Sequence, residues 1–451
     1  MTPVRCGMAV QQDFILESDG VETLQDDDFA LGRIPTRARY SFVHMALEQC
    51  AQGGCIASVL IGAQVGHKMA RTDAFLAIIA GSAVLSMICV CVGLIGYKES
   101  MTTSMLGRWT GLGVVGTAIL GVLTACSLIA WFGIQAQIAG NGLEALCHLQ
   151  PTWLWAILNG ILVTIIAAGG FRWLVGVSWI TNPAFFVVVI WACAGAIQRG
   201  SSAEHMKTPE LSVLEGTGVV VGGWITGCII ISDVFRFSRS KFQVVSVAFL
   251  RNLSTAMYMT AGVLVAQAGG TDDVISLMSA SAGPAAVIVV VAGEMVVNGS
   301  NLYSAGLALV TLSDMTCGCR LNRPLVTIAC GILGSSLGAM GILSGFTEFL
   351  SLLAVAFPPV AGIMCCEYFL AKRFRSSLDE TCAIGGIPQS APLVVPLSLI
   401  AWAFACLLGH VFPKGTSYLY SLFGAALAYA LGHKLGLLKT CGSVRTTRRE
   451  T

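Results

Sequence analysis

The chain has 451 residues, 55% of them hydrophobic and 11% charged, with a formal net charge of +2. Soluble domains carry about 25% charged residues, so this composition excludes a soluble globular protein and points to a polytopic membrane protein. Its Lys and Arg residues lie between apolar segments rather than in one patch, which leaves no electrostatic footprint for nucleic acid.

Residues 1–38 are polar and acidic, with Asp26, Asp27 and Asp28 in a row. They lack the basic and apolar regions of a signal peptide and are expected to form a cytoplasmic tail. Twelve membrane-spanning helices are predicted after them, at roughly 40–64, 72–97, 110–140, 152–171, 173–197, 212–233, 242–268, 284–312, 324–345, 348–371, 391–411 and 415–437. Together they make a transmembrane domain over 39–438. Residues 271–283 are too polar and too short to span, and suit a surface loop or short helix. Residues 439–451 read as a basic cytoplasmic tail. With the N-terminus inside, nineteen Lys and Arg fall on the inner side and five on the outer. The positive-inside rule then puts both termini in the cytoplasm, as expected for a multi-pass protein of the plasma membrane.

The seventeen cysteines are scattered, mostly inside apolar segments. Cysteine behaves there as a small hydrophobe. The pair Cys317 and Cys319 has no His or second pair beside it, so neither a metal site nor a disulfide framework is implied. No cofactor is expected.

Two segments are interrupted by glycine. Gly53 and Gly54 interrupt the first; Gly216, Gly218, Gly222, Gly223 and Gly227 riddle the sixth, next to Trp224. Clustered glycines weaken a helix, and opened backbone is tolerated in a membrane only where it faces protein or a watery cavity. Equally, small residues let two helices pack closely. Interruptions in spans one and six are expected if repeats at about 40–197 and 212–371 are inverted copies, with the helices at 391–437 appended. Such paired interruptions point to a transporter binding site near the bilayer midplane.

Polar residues inside the spans are few. In span three, Trp131 and Gln135 are four apart and share a helix face, so a ring and an amide face one neighbour. In span eight, Glu294 and Asn298 are one turn apart, with Ser300 and Asn301 following. A buried carboxylate needs a partner or a proton; Glu294 either pairs permanently with a cation such as Arg251 or takes up and releases a proton. Asp233 and Arg236 are expected to form an ion pair where span six meets the cytoplasm. Pro358 and Pro359 break span ten, and Glu48 faces either a cavity or the inner interface. These side chains form no catalytic constellation, and an enzyme is not predicted.

Taken together, IPTRARYSF leading into span one, AWFG in span three, ISDVFRFSR ending span six, NGSNLYSAGL in span eight and FPPVAGIMCCEYFLAKR in span ten resemble the nucleobase:cation symporter-1 family, closest to its cytosine-permease branch. The resemblance runs from about Ile34 to Leu438. It implies an all-α membrane protein of twelve transmembrane helices, with a LeuT-type 5+5 inverted repeat plus two C-terminal helices, working by alternating access. It also implies that a planar heterocycle is stacked between Trp131 and Trp224. Asn298 and Gln135 would bond its edge, and backbone around Gly223 and Gly227 would face it. One departure stands out. Sodium-coupled members carry two hydroxyl residues where this chain has Val296 and Val297, which offer no side-chain oxygen. The coupling ion is thus open between H⁺ at Glu294 and Na⁺ held by backbone carbonyls near Ala57. The expected partners are the lipid bilayer and a small heterocyclic substrate of the cytosine, purine or hydantoin kind. An amino acid or amine carrier on the same fold, or a non-transporting sensor, are the alternatives. Oligomeric state is not legible.

Overall fold

The computed structural model describes residues 29, 32–169, 183–195, 198, 209–271, 284–319, 321–412 and 416–446. Most of the predicted N-terminal tail, the first part of the fifth predicted span, the polar stretch after Thr271 and the end of the C-terminal tail lie outside them.

Helix occupies each stretch predicted to span. The first holds two pieces, α1 (Phe42–Gly53) and α2 (Ile56–Lys68). Next come α3 (Arg71–Glu99), the single turn α4 (Thr103–Leu106), α5 (Gly113–Cys147), α6 (Thr152–Ala168) and α7 (Pro183–Gly195). The sixth stretch holds α8 (Val213–Ile229) and α9 (Ser232–Phe235), and α10 (Lys241–Gly269), α11 (Pro284–Cys317) and α12 (Arg323–Ala339) follow. The tenth holds α13 (Phe346–Ala356) and α14 (Pro358–Cys365), and a π-helical turn over Cys366–Ala371 closes it. After α15 (Arg375–Ala383), α16 (Pro396–Val411) and α17 (Ser417–Lys434) complete the bundle. Among the described residues, five helices are long and apolar enough to cross a membrane. Leu, Ile and Phe side chains such as Ile79, Ile165, Leu325 and Phe242 point outward, more than half exposed. In water such a surface would aggregate; against lipid it is the expected one.

Local chemistry sets the helix starts. Ser41 accepts from His44 N at the head of α1. Ser212 and Glu215 form a reciprocal capping box at α8. Ser240 caps α10, and Asn322 with Pro324 opens α12.

The first predicted interruption is where the glycines put it. Gly54 leaves the helical region at φ −86°, ψ 66°, and the Ser58 hydroxyl donates to the Gly53 carbonyl at 2.7 Å. That bond satisfies an oxygen the broken helix no longer uses. The sixth span differs from expectation. All five of its glycines lie inside the unbroken helix α8, and the break falls later, at Ile230–Ile231. The glycines serve packing instead. A Cβ on Gly222 would stand 2.3 Å from the Leu350 carbonyl oxygen, one on Gly223 2.3 Å from Ile61 Cδ1, and one on Gly216 2.5 Å from Met69 Sδ. Neighbouring helices fill the space and hold α8 straight.

At one end of the bundle, buried charges are knitted together. Arg33 pairs with Glu99 at 2.9 Å and donates to the Leu378 and Gly386 carbonyls, while the Tyr368 hydroxyl donates to Glu99. Arg373 pairs with Glu367 at 2.7 Å, and both bond to the Tyr429 hydroxyl. The predicted C-terminal tail begins in this region as a strand. β2 (Cys441–Arg445) pairs antiparallel with β1 (Ser390–Val394), whose Ser390 carbonyl accepts from Trp109 Nε1. The expected Asp233–Arg236 ion pair is not formed. Asp233 accepts the Thr103 backbone N–H at 2.6 Å, and Arg236 donates to the Phe29 carbonyl and the Asp233 backbone carbonyl. At i, i+3 across a helix end, the backbone N–H at the head of α4 is the nearer partner for the carboxylate.

Helices α2 and α10 cross at close range. A Cβ on Gly262 would lie 2.1 Å from the Val59 carbonyl oxygen. Overpacking costs about 1–3 kcal/mol, so Gly262→Val should lower the thermal unfolding midpoint of the purified protein by several degrees. Gly345→Ala, which meets nothing within 4 Å, should leave the midpoint where it is.

Candidate functional site

The break between α1 and α2, and the one between α8 and α9, border a single cavity of about 220 Å³ inside the bundle. Helices α5, α10 and α11 complete its wall. Trp131, Gln135, Gly223, Trp224, Gly227 and Ala57, all singled out in the sequence, line it together. The i, i+4 spacing of Trp131 and Gln135 on α5 does put both on this wall.

Trp131 is only 6% exposed. Its ring is fixed by edge contacts with Phe346 (5.7 Å, 78°) and Phe349 (5.5 Å, 74°), aromatic geometries that add to plain burial. Trp224 is half-buried on α8, and its indole Nε1 has no hydrogen-bond partner among the described residues. The guanidinium of Arg251, on α10, lies over its ring at 5.1 Å from the centroid. Gly227 makes room for this contact, since a Cβ there would sit 3.0 Å from Arg251 Nη2. Gly223 and Gly227 therefore contribute space rather than opened backbone; the freed backbone of this span lies at Ile230–Ile231, also on the cavity wall.

Span eight meets the cavity one turn away from where the sequence reading puts it. Asn298 is fully buried behind the wall, with Nδ2 donating to the Phe132 carbonyl at 3.3 Å and Oδ1 without a partner among the described residues. Ser300, Asn301 and Ser304 face the cavity instead, and Asn301 Nδ2 donates to Gln135 Oε1 at 3.4 Å. Three residues along an α-helix turn the side chain by about 300°, so Asn298 and Asn301 occupy neighbouring but distinct faces. Val297 also lines the cavity.

Glu294 lies deeper still. It is 1% exposed, does not line the cavity, and neither carboxylate oxygen has a partner among the described residues. The alternative in which Arg251 pairs with it is not realised. Arg251 Nη1 has Asn252 Oδ1 at 3.4 Å and the sulfurs of Cys228 and Cys89 at 3.8 and 3.9 Å. Glu48 takes the cavity side of its two options, with one oxygen accepting from Gln49 Nε2 at 2.8 Å and the other from Gln52 Nε2 at 2.5 Å. Sequence reasoning offers Arg251 only as a partner for Glu294, not as part of the cavity wall. The signal was present, because a lone Arg within an apolar span is expensive and commonly functional.

This architecture has known counterparts. The profile of a family described as permeases for cytosine/purines, uracil, thiamine and allantoin matches residues 54–436. The cytosine permease of Escherichia coli strain K12 is 26% identical over 416 residues, 90% of this chain and 94% of that protein. The hydantoin permease of Microbacterium maritypicum is 23% identical over 307 residues, 61% of this chain and 62% of its own length. Among solved structures, the nucleobase-cation-symport-1 family transporter Mhp1, closed with bromovinylhydantoin bound, superimposes with a TM-score of 0.74 at 17% identity, covering 90% of this chain and 95% of that one. At that identity the likeness is one of fold.

The register of span eight is testable without a ligand. In a background with the exposed and cavity-lining cysteines replaced, a water-soluble maleimide should label Asn301→Cys and Ser304→Cys readily and Asn298→Cys slowly or not at all. Faster labelling at position 298 would put the cavity on the other face of α11.

Proposed function

Because the chain belongs to the family of permeases for cytosine/purines, uracil, thiamine and allantoin, we propose that it imports a planar nitrogen heterocycle of the cytosine, purine or hydantoin kind by secondary active transport. The observation that carries this reading is the cavity itself. Two indoles from different helices, Trp131 and Trp224, line it with a side-chain amide pair, Gln135 and Asn301. Stacking suits any flat ring, and an amide supplies donor and acceptor together for a mixed ring edge. The break in α1–α2 and the break in α8–α9 flank the cavity, which fits two inverted five-helix repeats rocking about one central site, with two helices appended. We place the protein in the plasma membrane with both termini in the cytoplasm, from the inward bias of its Lys and Arg.

The coupling ion follows from a loss and a gain. Val296 and Val297 give Na⁺ no side-chain oxygen, while Glu294 is buried with both oxygens unpartnered among the described residues. An ionised carboxylate without a partner is very costly in such a place, so we assign Glu294 as a carrier of the coupling proton. Backbone carbonyls near Ala57 are the remaining Na⁺ ligands.

Four measurements decide. Ligand binding raises the unfolding midpoint with the logarithm of ligand concentration over its dissociation constant, so a thermal-shift panel of bases, hydantoins and amino acids separates heterocycle carriers from amino acid carriers. Counterflow in proteoliposomes then separates a transporter from a sensor. Trp131→Ala and Trp224→Ala should each weaken binding about tenfold or more, given stacking worth about 1–3 kcal/mol per base; unchanged affinity in both would remove the sandwich. Uptake into vesicles should follow an imposed H⁺ gradient and lose that dependence in Glu294→Gln. Strong stimulation by Na⁺ at fixed pH, with Glu294→Gln fully active, would assign the coupling to the backbone site instead.

A further inference from the structure

Arg251 is 1% exposed, yet it lines the cavity. Its guanidinium covers Trp224, and its polar neighbours are one amide oxygen at 3.4 Å and two thiols at 3.8 and 3.9 Å. Nε has no hydrogen-bond partner, and no carboxylate comes within 4 Å, among the described residues. Arginine does not lose its proton in proteins. A buried charge is ordinarily paired, because leaving it alone forfeits hydration with nothing in return. This one has only weak acceptors from the protein, on the side of the cavity that holds Trp224.

Among the described residues, the other charged groups on the cavity do not hydrogen-bond it; Glu48 acts on it only through space, from beyond 4 Å. Glu48 is engaged by the Gln49 and Gln52 amides, and Asp233 by the Thr103 backbone N–H. Arg236 is directed to the Phe29 and Asp233 carbonyls. A ligand stacked on Trp224 is therefore the group left to satisfy Arg251.

We propose that Arg251 sets the substrate class, selecting a planar oxo-heterocycle that presents a carbonyl-rich, anionic edge over a neutral ring that presents an amino group. The guanidinium fork bonds two oxygens, or an oxygen and a deprotonated ring nitrogen, side by side. A neutral amino-bearing ring can present ring acceptors too, but without the negative charge, and its amino group offers the guanidinium only donors. This inference rests on the transporter reading and narrows it from heterocycles in general to acidic oxo-rings.

The test uses the purified full-length protein and four probes. Barbiturate and urate are oxo-rings that are anionic at neutral pH; cytosine and adenine are amino-bearing and neutral. At least one anionic probe should bind about tenfold or more tightly than the amino probe of the same ring size, as charged hydrogen bonds typically allow. Arg251→Gln should bring the two within about threefold of each other. Arg251→Lys keeps the charge without the fork, and should retain a reduced preference for the anion. Equal or tighter binding of cytosine or adenine to the wild-type protein overturns the proposal, and so does an anion preference that survives Arg251→Gln. If the preference is absent but Trp131→Ala still weakens every ring, the transporter site stands and only the role of Arg251 falls. If no ring binds, both readings fall together.

Discussion

A peptide group inside a bilayer has no water to bond, so each carbonyl and N–H must find a partner within the protein. That constraint decides where this bundle opens. At Gly53–Gly54 the chain leaves the helix, and the Ser58 hydroxyl takes up the Gly53 carbonyl. At Ile230–Ile231 the loosened turn is held by short-range bonds, Asp233 N to Ile230 O at 2.9 Å and Val234 N to Ile231 O at 3.1 Å. Both openings adjoin the same cavity. The helix ends made there place polar groups beside that cavity.

Much of this was legible in the chain. Long apolar runs located the helices, the first glycine pair located the first opening, and the i, i+4 pair of Trp131 and Gln135 located one wall. The sixth span was misplaced because glycine permits two outcomes and the choice belongs to the neighbours. Leu350 and Ile61 press on Gly222 and Gly223, and a tightly enclosed helix has nowhere to open. The register of α11 failed for a related reason. Its polar residues are spread round the helix, with Glu294 and Asn298 buried and Ser300, Asn301 and Ser304 on the cavity. Without one amphipathic stripe, sequence periodicity cannot say which face looks inward. That information resides in the partner helices, here in the Phe132 carbonyl that captures Asn298.

The treatment of buried charge separates framework from function within the same molecule. Arg33 with Glu99, and Glu367 with Arg373, are also withdrawn from water, but each is met by an opposite charge, backbone carbonyls or a tyrosine hydroxyl. Breaking such a pair leaves an uncompensated ion, so these clusters act as clamps on the chain ends and the π-helical turn. Arg251 and Glu294 are as deeply placed, and among the described residues no opposite charge lies within 4 Å of either. A stability argument has no use for two ions left that way, since apolar residues of similar size would pack at lower cost. The proposed function supplies what would complete them. The cavity beside Arg251 admits a ring, and a proton is small enough to reach Glu294 behind the wall. On the proposed function, one incomplete charge answers to the cargo and the other to the coupling proton, which is the division of labour a symporter requires.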